Sequence, residues 1–185
     1  SDIEDLLKKV EDLIRRNIET SRRLLEEVRK LIEENIRLAE RILEEVRRLI
    51  EELARLTRED RDKDELRKKV EEVEKTVKDV IDDLRRHSDK VEEDIKKLLD
   101  DNRRHSEKVM REIEKVLKEL RDRDNDEKVK DALRRLRDLI RRSKEDSERV
   151  NEEIKDIVRK SRETSEDVVR RARELLDKVR REVEK

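Results

Sequence analysis

The sequence predicts an all-α protein: a single-chain, antiparallel, up-down-up three-helix bundle with long, nearly straight helices. Three observations predict this fold. The 185 residues include no glycine, proline or aromatic residue, so the two residue types that most often interrupt helices are absent. Apolar side chains recur every 18 residues, which is five turns of an α-helix. Polar segments near residues 57–62 and 121–126 interrupt this repeat and divide the chain into three.

The first helix, predicted over residues 2–57, carries one set of core positions three times. The set is Ile3, Leu6, Leu7, Val10, Leu13, Ile14, Asn17 and Ile18, and it repeats 18 and 36 residues further along the chain. At about 100° per residue these positions form one arc of about 140°. Because 18 residues complete five turns, the arc runs parallel to the axis and predicts a nearly straight helix of roughly 85 Å.

The second and third helices, predicted over residues 63–122 and 126–184, follow the same period. Val73, Val91 and Val109 are successive equivalents, as are Leu136, Ile154 and Ala172. Each helix start places a capping side chain three residues before a glutamate, in the segments 1–4, 62–65 and 124–127. The two connections are short enough to force antiparallel neighbours, and their Asp and Asn residues are expected to adopt the turn geometry usually given to glycine. We therefore expect one domain over residues 1–185.

The charges are balanced, because 54 Lys and Arg residues face 55 Asp and Glu residues, for a net charge of -1. This balance argues against binding to nucleic acid phosphates or to an anionic membrane surface. Apolar runs are too short for a membrane span or for the core of a signal peptide. The chain is thus expected to be soluble, to start at its structured end and to carry no targeting signal. We expect it to be expressed as a recombinant protein in the cytoplasm, but the sequence does not indicate a cellular location.

Polar residues inside the apolar arcs are the most informative departures from the repeat, since burying one without a partner costs about 1–3 kcal/mol. Folding the chain at its two connections brings them together in two groups. The predicted first layer is Asn17, Ser21, Asn102, His105, Ser106, Ser143, Ser147 and Asn151. The predicted second layer is Asn35, His87, Ser88, Ser161 and Ser165. Thr20, Thr164 and Asp146 lie at the edges of the arcs, where they either join a layer or face water.

We interpret both layers as buried hydrogen-bond networks that span all three helices. Asn offers two donor hydrogens and an acceptor oxygen, Ser can donate and accept, and a neutral His does one of each. A bundle with slid or reversed helices would bury these groups against leucine, so the layers would specify the packing register. The alternative is that the serines are small residues tolerated at a loosely packed seam.

Catalytic and metal sites are not predicted. His87 and His105 lie 18 residues apart on one helix, about 27 Å, which is too far for shared ligation. A solid bundle offers no cleft or oxyanion hole, so we expect no enzyme activity, no cofactor and no small-molecule ligand. If a layer needs a neutral histidine, acid would weaken that layer as the pH falls through about 6.5, the ordinary pKa of a histidine side chain. Mild acid is then expected to loosen the bundle without unfolding it.

The restricted composition, the capping segments, the connections without glycine and the stacked 18-residue layers together resemble de novo designed helical bundles with modular buried hydrogen-bond networks. The resemblance covers the whole chain and implies a structural scaffold with no natural biochemical function. Arcs of about 120–140° are what a closed three-helix core uses, which predicts a monomer. Self-association, a partner helix and a pH-responsive role remain the alternatives.

Overall fold

The computed structural model describes residues 2–59, 62–123 and 127–185. These residues form three α-helices: α1 (Asp2–Glu59), α2 (Lys63–Arg121) and α3 (Glu127–Glu184). The described ranges contain no strand. The predicted fold class, an all-α three-helix bundle, is confirmed.

The start of α2 carries the capping interaction that the sequence indicates. The Asp62 carboxylate accepts hydrogen bonds from the backbone N–H groups of Asp64, at 3.1 Å, and Glu65, at 3.5 Å. This satisfies two of the donors that a helix N-terminus leaves without an intrahelical partner. The capping residues predicted at Ser1 and Asp124 lie outside the described residues.

The connections do not use glycine-like geometry where they are described. No described residue there has a positive φ, so the expectation is wrong for Asp62 and Asp122. Instead the end of α2 continues in a helical sense: the N–H of Asp122 donates to the carbonyl of Lys118, and that of Arg123 to the carbonyl of Leu120. Positions 60, 61 and 124–126, which complete the connections, are outside the described residues.

The chain divides into two compact units, each built from a part of all three helices. Unit 1 comprises Ser1–Arg29 and Asp94–Asp156, and unit 2 comprises Lys30–Glu93 and Ile157–Lys185. Each unit has its own aliphatic core. The expectation of one domain over residues 1–185 stays a prediction.

The core of unit 2 is filled by buried side chains from all three helices, which recur at helical spacing on each. It contains Ala39, Ile42, Leu43, Val46, Ile50 and Leu53 of α1, Leu66, Val70, Val77, Ile81 and Leu84 of α2, and Val168, Val169, Ala172, Val179 and Val183 of α3. Partners on α2 and α3 show that these helices are antiparallel here, because Glu92 pairs with Arg162 while Glu74 pairs with Arg180. The hydrogen bonds with these glutamates raise the pKa values of both arginines.

The core of unit 1 is built in the same way. It contains Val10 and Ile14 of α1, Val109, Ile113, Val116, Leu117 and Leu120 of α2, and Val129, Leu133 and Leu136 of α3. Within this unit α1 and α3 run in the same direction, since Glu11 pairs with Arg135 at 3.0 Å and Arg29 pairs with Glu153 at 2.6 Å. The neighbours in each unit therefore fit the up-down-up order.

Candidate functional site

The centre of the second layer is Asn35, an α1 side chain with 2% of its surface exposed in unit 2. Its Nδ2 group donates to the hydroxyls of Ser161, at 3.1 Å, and Ser165, at 3.2 Å, both on α3. Its Oδ1 atom accepts from the Ser88 hydroxyl at 3.0 Å and lies 2.9 Å from Nδ1 of His87, both on α2. A single amide thus connects α1 to both neighbouring helices.

This arrangement uses the whole hydrogen-bonding capacity of the Asn35 side chain. An amide has two donor hydrogens and two acceptor lone pairs, and each has a partner here. The Ser88 and Ser165 hydroxyls, 3.4 Å apart, close the layer between α2 and α3. Every polar side chain predicted for the second layer is therefore hydrogen-bonded within it.

The Oδ1 acceptor of Asn35 also determines that Nδ1 of the His87 ring carries a hydrogen. Because Oδ1 cannot donate, Nδ1 of His87 must carry the hydrogen. Both the neutral Nδ1–H tautomer and the doubly protonated imidazolium meet this requirement. Proton uptake at Nε2 consequently leaves the hydrogen bond to Asn35 in place.

His87 is half-buried at the border between this layer and a charged part of α1. The ring shares a surface cavity with α1 side chains of both charges and one leucine: Glu34, Arg37, Leu38, Glu40, Arg41 and Glu44. On its own helix, Asp83 is paired with Arg86 at 3.1 Å. The charged α3 residues Arg162 and Glu166 line a different cavity, on the α2–α3 side, where Asn35 and Ser88 also lie.

The first layer, in unit 1, is centred in the same way on Asn17 but has fewer bonds. Asn17 is buried, its Nδ2 donates to the Ser143 hydroxyl at 3.3 Å, and its Oδ1 accepts from the Ser106 hydroxyl at 3.0 Å. These bonds again join α1 to α3 and to α2. Half of the hydrogen-bonding capacity of this amide is used.

Three other residues predicted for the first layer make no hydrogen bond to it in the described part of the chain. Ser147 is half-buried and has no side-chain partner. Ser21, with 1% of its surface exposed, has a hydroxyl oxygen without a hydrogen bond. The same is true of the buried Oδ1 atom of Asn102.

Two predicted members of the first layer are exposed, and including them in a buried network was wrong. His105 is exposed at the edge of α2, in a surface cavity that it shares with Thr20 and Leu24 of α1. Asn151 is exposed on α3, where it lines the cleft that also contains Ser143 and Ser147.

The two layers are related by the 18-residue repeat, as the stacked layers of the sequence indicate. Each bonded residue of the second layer has a residue of the same type 18 positions away. The equivalent lies 18 residues earlier on α1 and α3 and 18 residues later on α2. Asn35, His87, Ser88, Ser161 and Ser165 become Asn17, His105, Ser106, Ser143 and Ser147. The same 18-residue shift, applied to the neighbouring residues, shows how the surroundings of the two layers differ.

Those surrounding residues change from apolar to polar. Leu38, Ala39, Leu84 and Val169 next to the second layer become Thr20, Ser21, Asn102 and Asn151 next to the first. Ala39, Leu84 and Val169 belong to the core of unit 2, and Leu38 packs against it. The aliphatic side chains beside the second layer are therefore replaced by polar ones beside the first.

The residues at the edges of the arcs do not extend either network. The hydroxyls of Thr20 and Thr164 donate to the carbonyls of Arg16 and Lys160 on their own helices, at 2.8 and 2.9 Å. The Oδ2 atom of Asp146 is buried without a hydrogen bond. Because these threonine bonds stay within a single helix, they do not affect the register between helices.

Within the described ranges, no group of three or more His, Cys, Asp or Glu side chains is placed to hold a metal ion. Among the same residues, no helical stretch combines the length and the apolar character that crossing a membrane requires.

Comparison with known proteins agrees with the fold. No protein-family model matches the chain, and no curated protein matches it. Among solved structures, the chain is similar to a protein described as a computationally designed three helix bundle, with a TM-score of 0.62 and 22% sequence identity. The match covers 99% of this chain and 89% of that one.

Proposed function

We propose that this protein is a designed structural scaffold whose two polar layers specify how its helices pack. The observation that carries the proposal is the bonding of Asn35, which has four side-chain partners on two other helices. No catalytic role, cofactor or nucleic acid partner is part of the proposal. The first layer has the same role through the two bonds of Asn17.

The energetic basis is the high cost of a misplaced amide. If α2 slid by one turn relative to α1, Leu84 or Val91 would lie opposite Asn35 in place of Ser88. The Oδ1 atom of Asn35 would then lose both of its α2 partners, and a buried group without a partner costs about 1–3 kcal/mol. Apolar layers lack this penalty, because one aliphatic contact replaces another after a slide.

A designed origin is supported by consistency across the chain. A chain without glycine, proline or aromatic residues is far from natural composition, and one 18-residue spacing governs both the aliphatic and the polar positions. The structural neighbour with 22% identity is itself a designed bundle.

The proposal is tested by removing the polar layers while keeping the core filled. One variant replaces both central amides by leucine and Ser106, Ser143, Ser88, Ser161 and Ser165 by alanine. We expect it to remain helical and at least as resistant to guanidinium chloride as the parent. Its ¹H–¹⁵N spectrum should show several peaks for many amides, because alternative registers become similar in free energy.

A matched control keeps the amides and replaces Leu175 and Leu176, two half-buried residues that pack against the core of unit 2, by isoleucine. This control should give one peak per amide. If the layer-free variant also gives one peak per amide, the register is fixed by aliphatic packing and the proposal is wrong.

The monomeric state is part of the same proposal. It is supported by the described residues, none of which is an exposed large hydrophobic side chain. Light scattering at two concentrations should give a mass near 22.7 kDa at both. A multiple of that mass would favour the alternative, a module that binds a partner helix or a second copy.

The pH-responsive alternative has less support, because the His87 hydrogen bond needs only a hydrogen on Nδ1. His105, the other histidine, is exposed and has no network partner in the described part of the chain. Neither geometry requires a neutral ring.

A further inference from the structure

Ser21 and Asn102 are two residues of unit 1 whose buried polar atoms the packing role does not explain. The Ser21 hydroxyl and the Asn102 Oδ1 atom are buried and have no hydrogen bond. Buried polar atoms in proteins nearly always have a partner, either a protein group or an ordered water molecule. Two such atoms next to one layer therefore point to a ligand.

The two atoms lie at the same height in the unit. Asn17 of α1 is bonded to Ser106 of α2. Because these helices are antiparallel, one turn forward on α1 reaches Ser21 and one turn back on α2 reaches Asn102. On α3, which is parallel to α1, Ser147 follows Ser143 by the same turn. We call Ser21, Asn102 and Ser147 the Ser21 site.

Unit 2 shows the same level with aliphatic residues in place of Ser21 and Asn102. The residues equivalent to Ser21 and Asn102 are Ala39 and Leu84, and neither exposes any of its surface. A serine in place of alanine adds a hydroxyl, and an asparagine in place of leucine exchanges methyl groups for an amide. Both exchanges add hydrogen-bonding groups at one level.

The level also opens onto a polar cleft. Asn102 and Ser147 line a cleft of about 670 Å³ between α2 and α3, together with Asn17, Ser106 and Ser143. A water molecule inside a protein typically makes about three hydrogen bonds to polar groups that lack other partners. The Ser21 site offers three such groups: two hydroxyls and a carbonyl oxygen.

We propose that the Ser21 site binds ordered water, which bridges the Ser21 hydroxyl, the Asn102 carbonyl oxygen and the Ser147 hydroxyl. The water completes the first layer by linking the turn next to Asn17 across all three helices. The two layers are then of different kinds, one closed by direct bonds and one closed through solvent.

The test uses the full-length protein and water as the probe. Water–protein cross-peaks in NOE and ROE spectra should identify a long-lived water at the side-chain amide of Asn102 in the parent. A crystal structure of the parent should place it within hydrogen-bonding distance of all three groups. Replacing Ser21→Ala and Asn102→Leu together, the residues of unit 2, should remove this water. The unfolding equilibrium constant of the double variant should fall by about tenfold or more, because buried polar atoms are replaced by aliphatic ones.

The matched control is Asn151→Val, which also introduces the residue of unit 2 but at an exposed position. It should keep the water signal and leave the unfolding equilibrium constant within about twofold of the parent. The proposal is overturned if the parent structure shows Ser21 bonded directly to Asn102 with no water signal. It is also overturned if the double variant is no more stable than the control.

Discussion

The second layer and the first layer contain the same five residue types at positions related by the repeat, yet they differ in how many bonds they make. Asn35 has four side-chain partners, whereas Asn17 has two. The histidine is bonded in one layer and exposed in the other. The identity of the polar residues therefore does not determine whether a network forms.

What differs is the surrounding of each layer. Leu38 and Leu84 lie beside the second layer, whereas their equivalents beside the first layer are the polar residues Thr20 and Asn102. Aliphatic neighbours exclude competing water and restrict the positions that a polar side chain can take. A buried network is thus a property of its apolar surroundings as much as of its polar members.

The largest expected effect comes from opening the second layer. Leu84→Asn introduces the residue of the first layer at a position with no exposed surface, so it removes aliphatic packing and buries an amide. We expect the free energy of unfolding to fall by about 3–5 kcal/mol, measured by guanidinium chloride denaturation. The reverse exchange, Asn102→Leu, should raise it. Equal losses from both exchanges would show that the surroundings of the two layers do not matter.

A smaller effect distinguishes the two central amides. Asn35→Ala leaves four buried or half-buried groups without their partner, and Asn17→Ala leaves two. Both variants remove the same side-chain volume, so the difference between them isolates hydrogen bonding. We expect losses of about 2–4 kcal/mol for Asn35→Ala and about 1–2 kcal/mol for Asn17→Ala. The comparison between the layers fails if Asn17→Ala is the more destabilising of the two.

Most of the fold follows from the sequence, because its period is regular. An 18-residue spacing of aliphatic side chains predicts three helices, and the structure places them at Asp2–Glu59, Lys63–Arg121 and Glu127–Glu184. The capping role of Asp62 follows from local chemistry. The geometry of the connections does not, since Asp122 and Arg123 continue the helical turn of α2 and need no glycine-like conformation.

The polar layers are less predictable. Asn35 and Asn17 stand out because each is central in an apolar arc, where an amide has to find partners. His87 and His105 stand at the edge of the α2 arc, so small differences in a neighbouring helix decide whether each ring is covered. Only the direct comparison of Leu38 with Thr20 indicates that one histidine is enclosed and the other exposed.

A still smaller effect is expected from the histidines. His87→Ala removes one of the two donors to Asn35 Oδ1 while Ser88 keeps the other. We expect a loss of about 1 kcal/mol in the free energy of unfolding. His105→Ala changes an exposed side chain and should stay within about 0.5 kcal/mol of the parent. A similar loss for both variants would mean that His87 contributes through helix propensity or surface packing and not through the network.

The smallest expected effect is the response of the second layer to acid. Because Nδ1 of His87 donates in both the neutral and the protonated ring, lowering the pH from 7.5 to 5.5 should not break its bond to Asn35. Helicity by circular dichroism should be unchanged between the two pH values. The ¹⁵N shifts of the ring should identify the Nδ1–H tautomer for His87 at pH 7.5. If His87 instead carries its hydrogen on Nε2, the Asn35 amide faces the opposite way. Protonation of Nδ1 would then place a donor opposite the Nδ2 donor of Asn35. The parent would lose stability in acid, and His87→Ala would not.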